Sequence, residues 1–251
     1  MEAPPDPRPR LSVAQLLPNA ITLAALCAGL TAIRFAFEGA FDIAAGLILL
    51  AAVLDGLDGR LARRLRSESA MGAELDSLCD FVDFGVAPAL VIHIWATGGE
   101  SDGLSWIAAL VYAVACALRL ARFNIGSRVP SLGGQSAKTF TGVPSPAGAM
   151  LALLPLFVAN LAPTVVLHPA LTALWLMLVA GLMVSRLPTP AFRPVRIRPE
   201  QARMLLLGAV ALGAALLTYP WLTLVLLDLG YLLLLLSGWA RLGRHFPRKD
   251  R

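Results

Sequence analysis

The stretch that decides the fold is residues 41–97, which read FDIAAGLILLAAVLDGLDGRLARRLRSESAMGAELDSLCDFVDFGVAPALVIHIWAT. Two apolar runs flank a short arginine-rich connection, and each run is long enough to cross a bilayer as a helix. Helices joined by a short connection pack as antiparallel neighbours. The acidic residues nearest to this connection are Asp55, Asp58, Glu74, Asp76, Asp80 and Asp83. The stretch therefore predicts a membrane helix pair that carries its acids at one end.

Apolar runs of this kind recur on both sides of the stretch. Of the 251 residues, 57% are hydrophobic and 15% are charged, whereas a soluble domain has roughly 25% charged residues. This composition excludes a soluble globular protein and predicts an all-α, polytopic membrane helix bundle with about eight transmembrane helices. The predicted spans centre on residues 18–37, 40–62, 73–97, 104–124, 144–162, 168–186, 201–218 and 220–240.

The basic residues lie on one side of this predicted bundle. With the N-terminus inside, every lysine and arginine except Arg34 falls in or beside a cytoplasmic loop. This positive-inside pattern predicts an even number of spans with both termini cytoplasmic. The basic residues are dispersed over several loops and are not interleaved with aromatic residues. They therefore indicate anionic membrane lipids as partners and no nucleic acid.

The chain divides into three segments. Residues 1–16 are expected to be a cytoplasmic tail and a juxtamembrane helix, because the first ten residues are proline-rich and lack the apolar core of a signal peptide. Residues 10–17 have the composition of a short helix lying on the inner surface. Residues 17–190 are expected to form a core of six transmembrane helices, and residues 191–251 two further helices and a basic C-terminal tail.

Four of the acids have a spacing that indicates a metal site. Insertion scales give roughly 2.5–3.5 kcal/mol for one charge at the centre of a membrane helix, so such acids need compensation. Asp55 and Asp58 share a helix face at i and i+3, and Asp76 and Asp80 share one at i and i+4. Carboxylates converging from two helices would repel each other unless cations bound between them. Oxygen ligands select Mg²⁺, Mn²⁺ or Ca²⁺, in a site for one or two ions.

The surroundings of these acids indicate the ligand that would join the metal. Gly56 and Gly59 remove side chains beside the first two acids, and Ala62 follows on the face of Asp55. A face of this kind leaves room for a ligand to lie against the backbone. The arginines beside this face are Arg60, Arg63, Arg64 and Arg66. Metal ions, arginines and a cleared surface together suit a diphosphate.

Residues 55–80 resemble the CDP-alcohol phosphotransferase family. They match its signature D-x2-D-G-x2-A-R-x8-G-x3-D-x3-D at every fixed position, namely Asp55, Asp58, Gly59, Ala62, Arg63, Gly72, Asp76 and Asp80. The resemblance implies that the four aspartates hold divalent metal, Mg²⁺ or Mn²⁺ with Ca²⁺ as an alternative, as two ions. It implies that Asp80 is also the general base. The positions implied to line the cytidine-diphosphate site are Gly59, Ala62, Arg63 and Gly72. A homodimer is implied as well.

Further runs resemble the bacterial phosphatidylserine synthases within that family. These runs are LPNAITLAALCAGL (17–30), ELDSLCDFVDFGVAPAL (74–90), LRLARFNI (118–125), FTGVPSPAGAM (140–150) and MVSRLPTP (183–190). The resemblance implies transfer of the phosphatidyl group from CDP-diacylglycerol to the hydroxyl of L-serine, giving phosphatidylserine and CMP. It implies a bacterial inner-membrane enzyme whose active site faces the cytoplasm. Asp83 departs from these synthases, which more often have serine or asparagine there.

The acceptor site is the part of the sequence with several readings. Serine is a zwitterion, so its carboxylate needs a cation and its ammonium group needs an acceptor. Arg119 and Arg122 are candidates for the carboxylate with Asn124 assisting, and Asp83 is a candidate for the ammonium group. Lys138 and Arg186 are alternatives. Glycerol phosphate, inositol phosphate and choline remain alternative acceptors, and an ion transporter or a non-catalytic scaffold are readings outside this chemistry.

Overall fold

The computed structural model describes residues 13–65, 67, 69–100, 102–128, 140–164, 167–185, 188–189 and 199–243. The helices are α1 (Val13–Phe37), α2 (Phe41–Leu65), α3 (Ala70–Phe81), a π-helical turn (Val82–Val86), α4 (Ala87–Thr97), α5 (Gly103–Arg128), α6 (Ser145–Leu161), α7 (Pro169–Val184), α8 (Pro199–Thr218) and α9 (Pro220–Gly243). Two-residue strands, β1 (Phe140–Thr141) and β2 (Pro188–Thr189), pair antiparallel. The predicted all-α class is confirmed, with this short pair as its one addition in the described ranges.

Several of the described helices are suited to a membrane. Four are long and apolar enough to cross one: 16–37, 70–97, 103–125 and 220–238. Three shorter apolar helices cover 145–161, 169–184 and 203–218. Helix α2 has comparable length but contains Asp42, Asp55 and Asp58, so acids interrupt its apolar surface. Together these helices are those of an integral membrane protein.

The third apolar run differs from the single regular helix that its sequence predicts. A π-helical turn separates α3 from α4, and the three pieces follow one another without a gap. The turn brings Gly85 close to α5, where an added Cβ would lie 3.1 Å from both Cβ and Sγ of Cys116. The hydroxyl of Tyr112, which is fully buried, donates a hydrogen bond of 2.9 Å to the Phe84 carbonyl. Helix α5 therefore fixes the irregular turn from one side.

The start of α1 also differs from expectation. A separate surface helix over residues 10–17 was predicted, but α1 runs unbroken from Val13 to Phe37 with Pro18 inside it. The preceding residues, and with them most of the predicted tail, lie outside the described residues. The membrane helix thus already includes the end of the predicted juxtamembrane segment.

Small side chains bring α1 and α2 into close contact. Ala25, Ala32 and Ala36 of α1 and Ala44 and Ala51 of α2 are all almost completely buried. Small residues let two membrane helices approach closely, which strengthens their packing in the absence of a hydrophobic driving force. Helices α5 and α7 form a second close pair, α6 lies among the other core helices, and α9 packs mainly on α6. The site acids of α2 are held beside α1 and α3 by this arrangement.

Candidate active site

Three carboxylates converge at the junction of α2 and α3. One oxygen from each of Asp55, Asp76 and Asp80 lies within 4.8 Å of the others. The carboxyl groups of Asp55 and Asp80 are close enough to share a hydrogen bond. If all three carboxylates were ionised this close together without a cation, they would repel each other strongly. The donor set consists of hard oxygen ligands only and therefore fits a divalent cation such as Mg²⁺ or Mn²⁺.

Asp58, the fourth predicted ligand, stands apart from this cluster. Its side chain is almost fully buried, and its Oδ2 accepts a hydrogen bond of 2.5 Å from the Thr22 hydroxyl of α1. The same hydroxyl contacts the Pro18 carbonyl at 3.1 Å. The structure therefore brings three of the four signature aspartates together and holds the fourth against α1. Thr22 was missed by the sequence reasoning, because a lone threonine in an apolar run gives no signal of its partner.

A cleft of about 240 Å³ opens beside the acids, between α1, α2 and the start of α3. Its lining includes all four positions that the family signature assigns to the nucleotide, together with two of the aspartates: Asp58, Gly59, Ala62, Arg63, Gly72 and Asp76. Pro18, Asn19, Thr22, Ser67, Ser69 and Ala73 complete the lining. Gly56, which was expected on the cleared face, does not line this cleft and has no side-chain neighbour within 4 Å of an added Cβ.

The start of α3 is shaped to keep this cleft open. Ser69 caps the helix, and its hydroxyl oxygen accepts a hydrogen bond of 3.0 Å from the Gly72 backbone amide. A Cβ at Gly72 would lie 3.1 Å from Asn19 Oδ1 and from that same hydroxyl. A side chain here would therefore press on α1 and on the capping serine, which favours glycine.

Arg119 of α5 lies near Asp80. It lies on α5 and is partly buried, and its Nη1 donates a hydrogen bond of 2.5 Å to the hydroxyl of Ser145 at the start of α6. Its guanidinium group also interacts electrostatically with the Asp80 carboxylate. Of the acceptor-site candidates on α5, Arg119 is thus the one with a direct electrostatic link to the predicted base. Ser145 was not identified from the sequence.

The other acceptor-site candidates contact neighbouring helices. Arg122 donates from Nη1 to the Val184 carbonyl of α7 at 3.0 Å, and Asn124 donates from Nδ2 to the Ser77 hydroxyl of α3 at 2.9 Å. The second contact joins α5 to the residue that follows Asp76. Lys138 and Arg186 lie outside the described residues.

Asp83 lies in the π-helical turn and is almost fully buried. Its Oδ1 has no hydrogen-bond partner in the part of the chain that the structure describes. The carboxylate faces α1 so closely that a Cβ at Gly29 would overlap it. Asp83 follows Asp80 by three residues, and the π-helical turn begins between them.

Comparisons with known proteins agree with the signature. Residues 15–187 match the family model described as CDP-alcohol phosphatidyltransferase. The chain is 39% identical over 232 residues to a CDP-diacylglycerol–serine O-phosphatidyltransferase of Mycobacterium leprae, covering 90% of this chain and 75% of that protein. A protein of the same name from Helicobacter pylori strain J99 is 33% identical over 182 residues, covering 72% and 74%. One from Bacillus subtilis is 33% identical over 178 residues, covering 70% and 91%.

Proposed function

Because the chain belongs to the CDP-alcohol phosphatidyltransferase family, we propose that it transfers the phosphatidyl group of CDP-diacylglycerol to the hydroxyl of L-serine. The products are phosphatidylserine and CMP. Relatives that carry the serine-specific name match up to 90% of the chain, which supports serine over other acceptors. The observation that carries the proposal is the carboxylate cluster of α2 and α3 beside a cleft lined by the signature residues.

The carboxylates of Asp55, Asp76 and Asp80 are the groups that would hold divalent metal, Mg²⁺ or Mn²⁺ with Ca²⁺ as an alternative. Asp58 is the fourth ligand if two ions bind. Metal bound there would neutralise the diphosphate and stabilise the charge that develops on the departing CMP. The mutual repulsion of the three carboxylates supports this role, since a cation removes it.

The nucleotide is proposed to occupy the cleft beside α1. Gly59, Ala62 and Gly72 leave the backbone accessible there, and Arg63 supplies a cation at the wall of the cleft. The diacylglycerol tails would then remain among the exposed apolar side chains of the membrane helices.

Asp80 is proposed as the general base. It removes the proton from the serine hydroxyl while the oxygen forms its bond to the β-phosphorus, the phosphorus of the phosphatidyl group. The bond from that phosphorus to the oxygen bridging the two phosphates breaks, and its electron pair leaves with CMP. Asp80 lies within 4.8 Å of the Asp76 carboxylate, which lines the cleft, and interacts electrostatically with Arg119, and both relations support this role.

The acceptor is proposed to bind on the α5 side of Asp80. Arg119 is the proposed cation for the serine carboxylate, and Asp83, whose Oδ1 lacks a partner in the described ranges, is the proposed acceptor for the ammonium group. Arg122 and Asn124 support the site through their contacts with α7 and α3. Single substitutions at these four residues can test each role separately.

We further propose the membrane arrangement that the charges predict. Eight spans, with both termini cytoplasmic, place the carboxylate cluster at the inner face of a bacterial cytoplasmic membrane. Residues 17–190 form the catalytic core and residues 191–251 the additional helices and tail. A homodimer follows from the family resemblance.

The proposed reaction can be tested with purified protein in detergent or vesicles. CDP-diacylglycerol is supplied with Mg²⁺ or Mn²⁺ and, in separate reactions, labelled L-serine, glycerol phosphate, inositol phosphate or choline. We expect labelled lipid and CMP with L-serine, loss of both after chelation, and recovery when metal is restored. Lipid formed only with another acceptor would overturn the serine assignment, and no CMP release with any acceptor would overturn the chemistry.

A further inference from the structure

Two buried polar atoms, one of them on Arg119, lack partners in the described residues, and they lie on different helices. Arg119 Nε and the hydroxyl oxygen of Tyr231 on α9 are both shielded from solvent, and neither has a hydrogen-bond partner among the described residues. The two groups are close enough to interact electrostatically. An unmade hydrogen bond at a buried polar group carries a large penalty, so two such groups at one place require an explanation.

The packing of α9 against α6 places Tyr231 at about the depth of Arg119 in the bundle. Helix α9 lies along α6, and the ring of Trp221 contacts Phe157 at the outer ends of both helices, with centroids 6.1 Å apart. From that contact, α9 runs inward toward Tyr231 while α6 runs back toward Ser145, which holds Arg119. At about 1.5 Å per residue, Tyr231 and the start of α6 are at comparable depth. The tyrosine hydroxyl therefore belongs to the same polar region as Arg119.

We propose that α9 completes the acceptor pocket and that the Tyr231 hydroxyl, together with Arg119 Nε, binds the carboxylate of the amino-acid acceptor. The inference rests on the proposed serine transfer and names a further specificity-determining residue for it. A guanidinium group has donors only, and a hydroxyl can donate a second hydrogen bond, so the pair matches the two oxygens of a carboxylate. Tyr231 lies beyond residues 15–187, which carry the family match, and so outside the shared catalytic core.

A rival partner for Tyr231 lies on its own helix. Asp228 is three residues earlier on α9, is almost fully buried, and its Oδ2 is also unpaired within the described ranges. If the Tyr231 hydroxyl bonded only to Asp228, the tyrosine would stabilise the helix bundle and would not affect the binding of serine. The two roles predict different kinetic effects, because a substrate contact changes the KM of one substrate and a packing contact does not.

The test compares the three tyrosines of the chain by the same substitution. In Tyr231→Phe we expect the KM for L-serine to rise roughly tenfold or more, as for loss of a hydrogen bond to a charged group. The kcat at saturating serine and the KM for CDP-diacylglycerol stay at wild-type values. Tyr219→Phe, at the exposed turn before α9, is the control without effect. Tyr112→Phe removes a structural hydrogen bond and lowers thermal stability without a change specific to serine.

The outcomes separate this inference from the proposed function. Wild-type turnover of L-serine tests the function, whereas the serine KM of the variant tests Tyr231. An unchanged serine KM in Tyr231→Phe, or a fall in kcat alone, overturns the inference, and so does an equal rise in the serine KM of Asp228→Asn. If Tyr231→Phe does not fold, Tyr231→Leu is measured in the same way. Arg119→Lys combined with Tyr231→Phe should raise the serine KM by less than the product of the single effects.

Discussion

The proposed nucleotide side and the proposed acceptor side of Asp80, called below the nucleotide side and the acceptor side, are built from different kinds of residues. On the nucleotide side, glycine, alanine and serine line an open cleft, and the signature residues that shape it lie within one stretch of 26 residues. On the acceptor side, Arg119 is partly buried behind Ser145, and its neighbours come from α3, α6 and α9. One side is set by local spacing along two helices, and the other by tertiary packing of distant helices.

This difference indicates how the two specificities are separated. A helix pair with fixed spacing can hold metal and nucleotide in any protein that keeps the signature, because all the necessary groups move together. The acceptor pocket depends on how other helices pack around the same base. Substitutions on the two sides should therefore affect different kinetic constants, and this expectation can be tested in order of effect size.

The largest effect is expected at Asp80, where the two sides meet. Asp80→Asn keeps the volume of the side chain but removes the base, and it should lower kcat by roughly 10²–10⁴-fold. CMP release measures the loss, and thermal unfolding in detergent checks that the protein remains folded. Asp42→Asn is the matched control, since Asp42 accepts a hydrogen bond from Asn160 at the other end of α2. A kcat near the wild-type value in Asp80→Asn would contradict the assignment of Asp80 as the general base.

The next effect distinguishes two arginines of the acceptor side. Arg119→Lys keeps the charge but loses the planar fork of donors, so the KM for L-serine should rise by about tenfold or more while the KM for CDP-diacylglycerol is unchanged. Arg122→Lys should have a smaller effect, because Arg122 is exposed and its Nη1 contacts the Val184 carbonyl. Equal effects of the two variants on the serine KM would show that the geometry around Asp80 does not select the acceptor.

Much of the nucleotide side could be predicted from the sequence. The spacing of Asp55, Asp76 and Asp80 places them on facing helix surfaces, and the structure brings their oxygens within 4.8 Å. All eight predicted apolar runs correspond to helices in the structure. The length of an apolar run is a strong signal because a helix must match the thickness of the bilayer. The family resemblance implied that Gly59 and Gly72 line the nucleotide site, and both line the cleft, whereas Gly56 of the predicted cleared face does not.

The acceptor side was less predictable for physical reasons. The π-helical turn at Val82–Val86 depends on a contact between Gly85 and Cys116 of α5, and helical periodicity cannot express such a contact. Ser145 and Tyr231 approach Arg119 only through the packing of α6 and α9. On the nucleotide side, Asp58 was also placed incompletely by the sequence. Its spacing predicted a position in the metal cluster, but it could not predict the hydrogen bond from Thr22 of α1.

A third prediction concerns the nucleotide side alone. The added methyl group of Gly72→Ala would press on Asn19 and Ser69, narrow the cleft and raise the KM for CDP-diacylglycerol by roughly tenfold. The KM for L-serine should not change, and the two constants are measured by varying each substrate at saturation of the other. Gly46→Ala is the control, because nothing lies within 4 Å of a Cβ added there. A parallel rise in both KM values would mean that the two sides are not independent.

The smallest effect tests whether the nucleotide side depends only on the signature residues of α2 and α3 or also on α1. Thr22→Val keeps the shape of the side chain but removes one hydrogen bond to the buried Asp58 carboxylate, which retains a backbone hydrogen bond from Gly59, at a cost of about 1–3 kcal/mol. We expect a lower melting temperature and a rise of a few-fold in the KM for CDP-diacylglycerol. Thr31→Val is the matched control, since the Thr31 hydroxyl contacts only the Cys27 carbonyl in the described structure. Loss of stability without a change in KM would show that Thr22 contributes only to packing. A change in KM would show that α1, through Thr22, sets the position of Asp58, which the spacing of the signature does not determine.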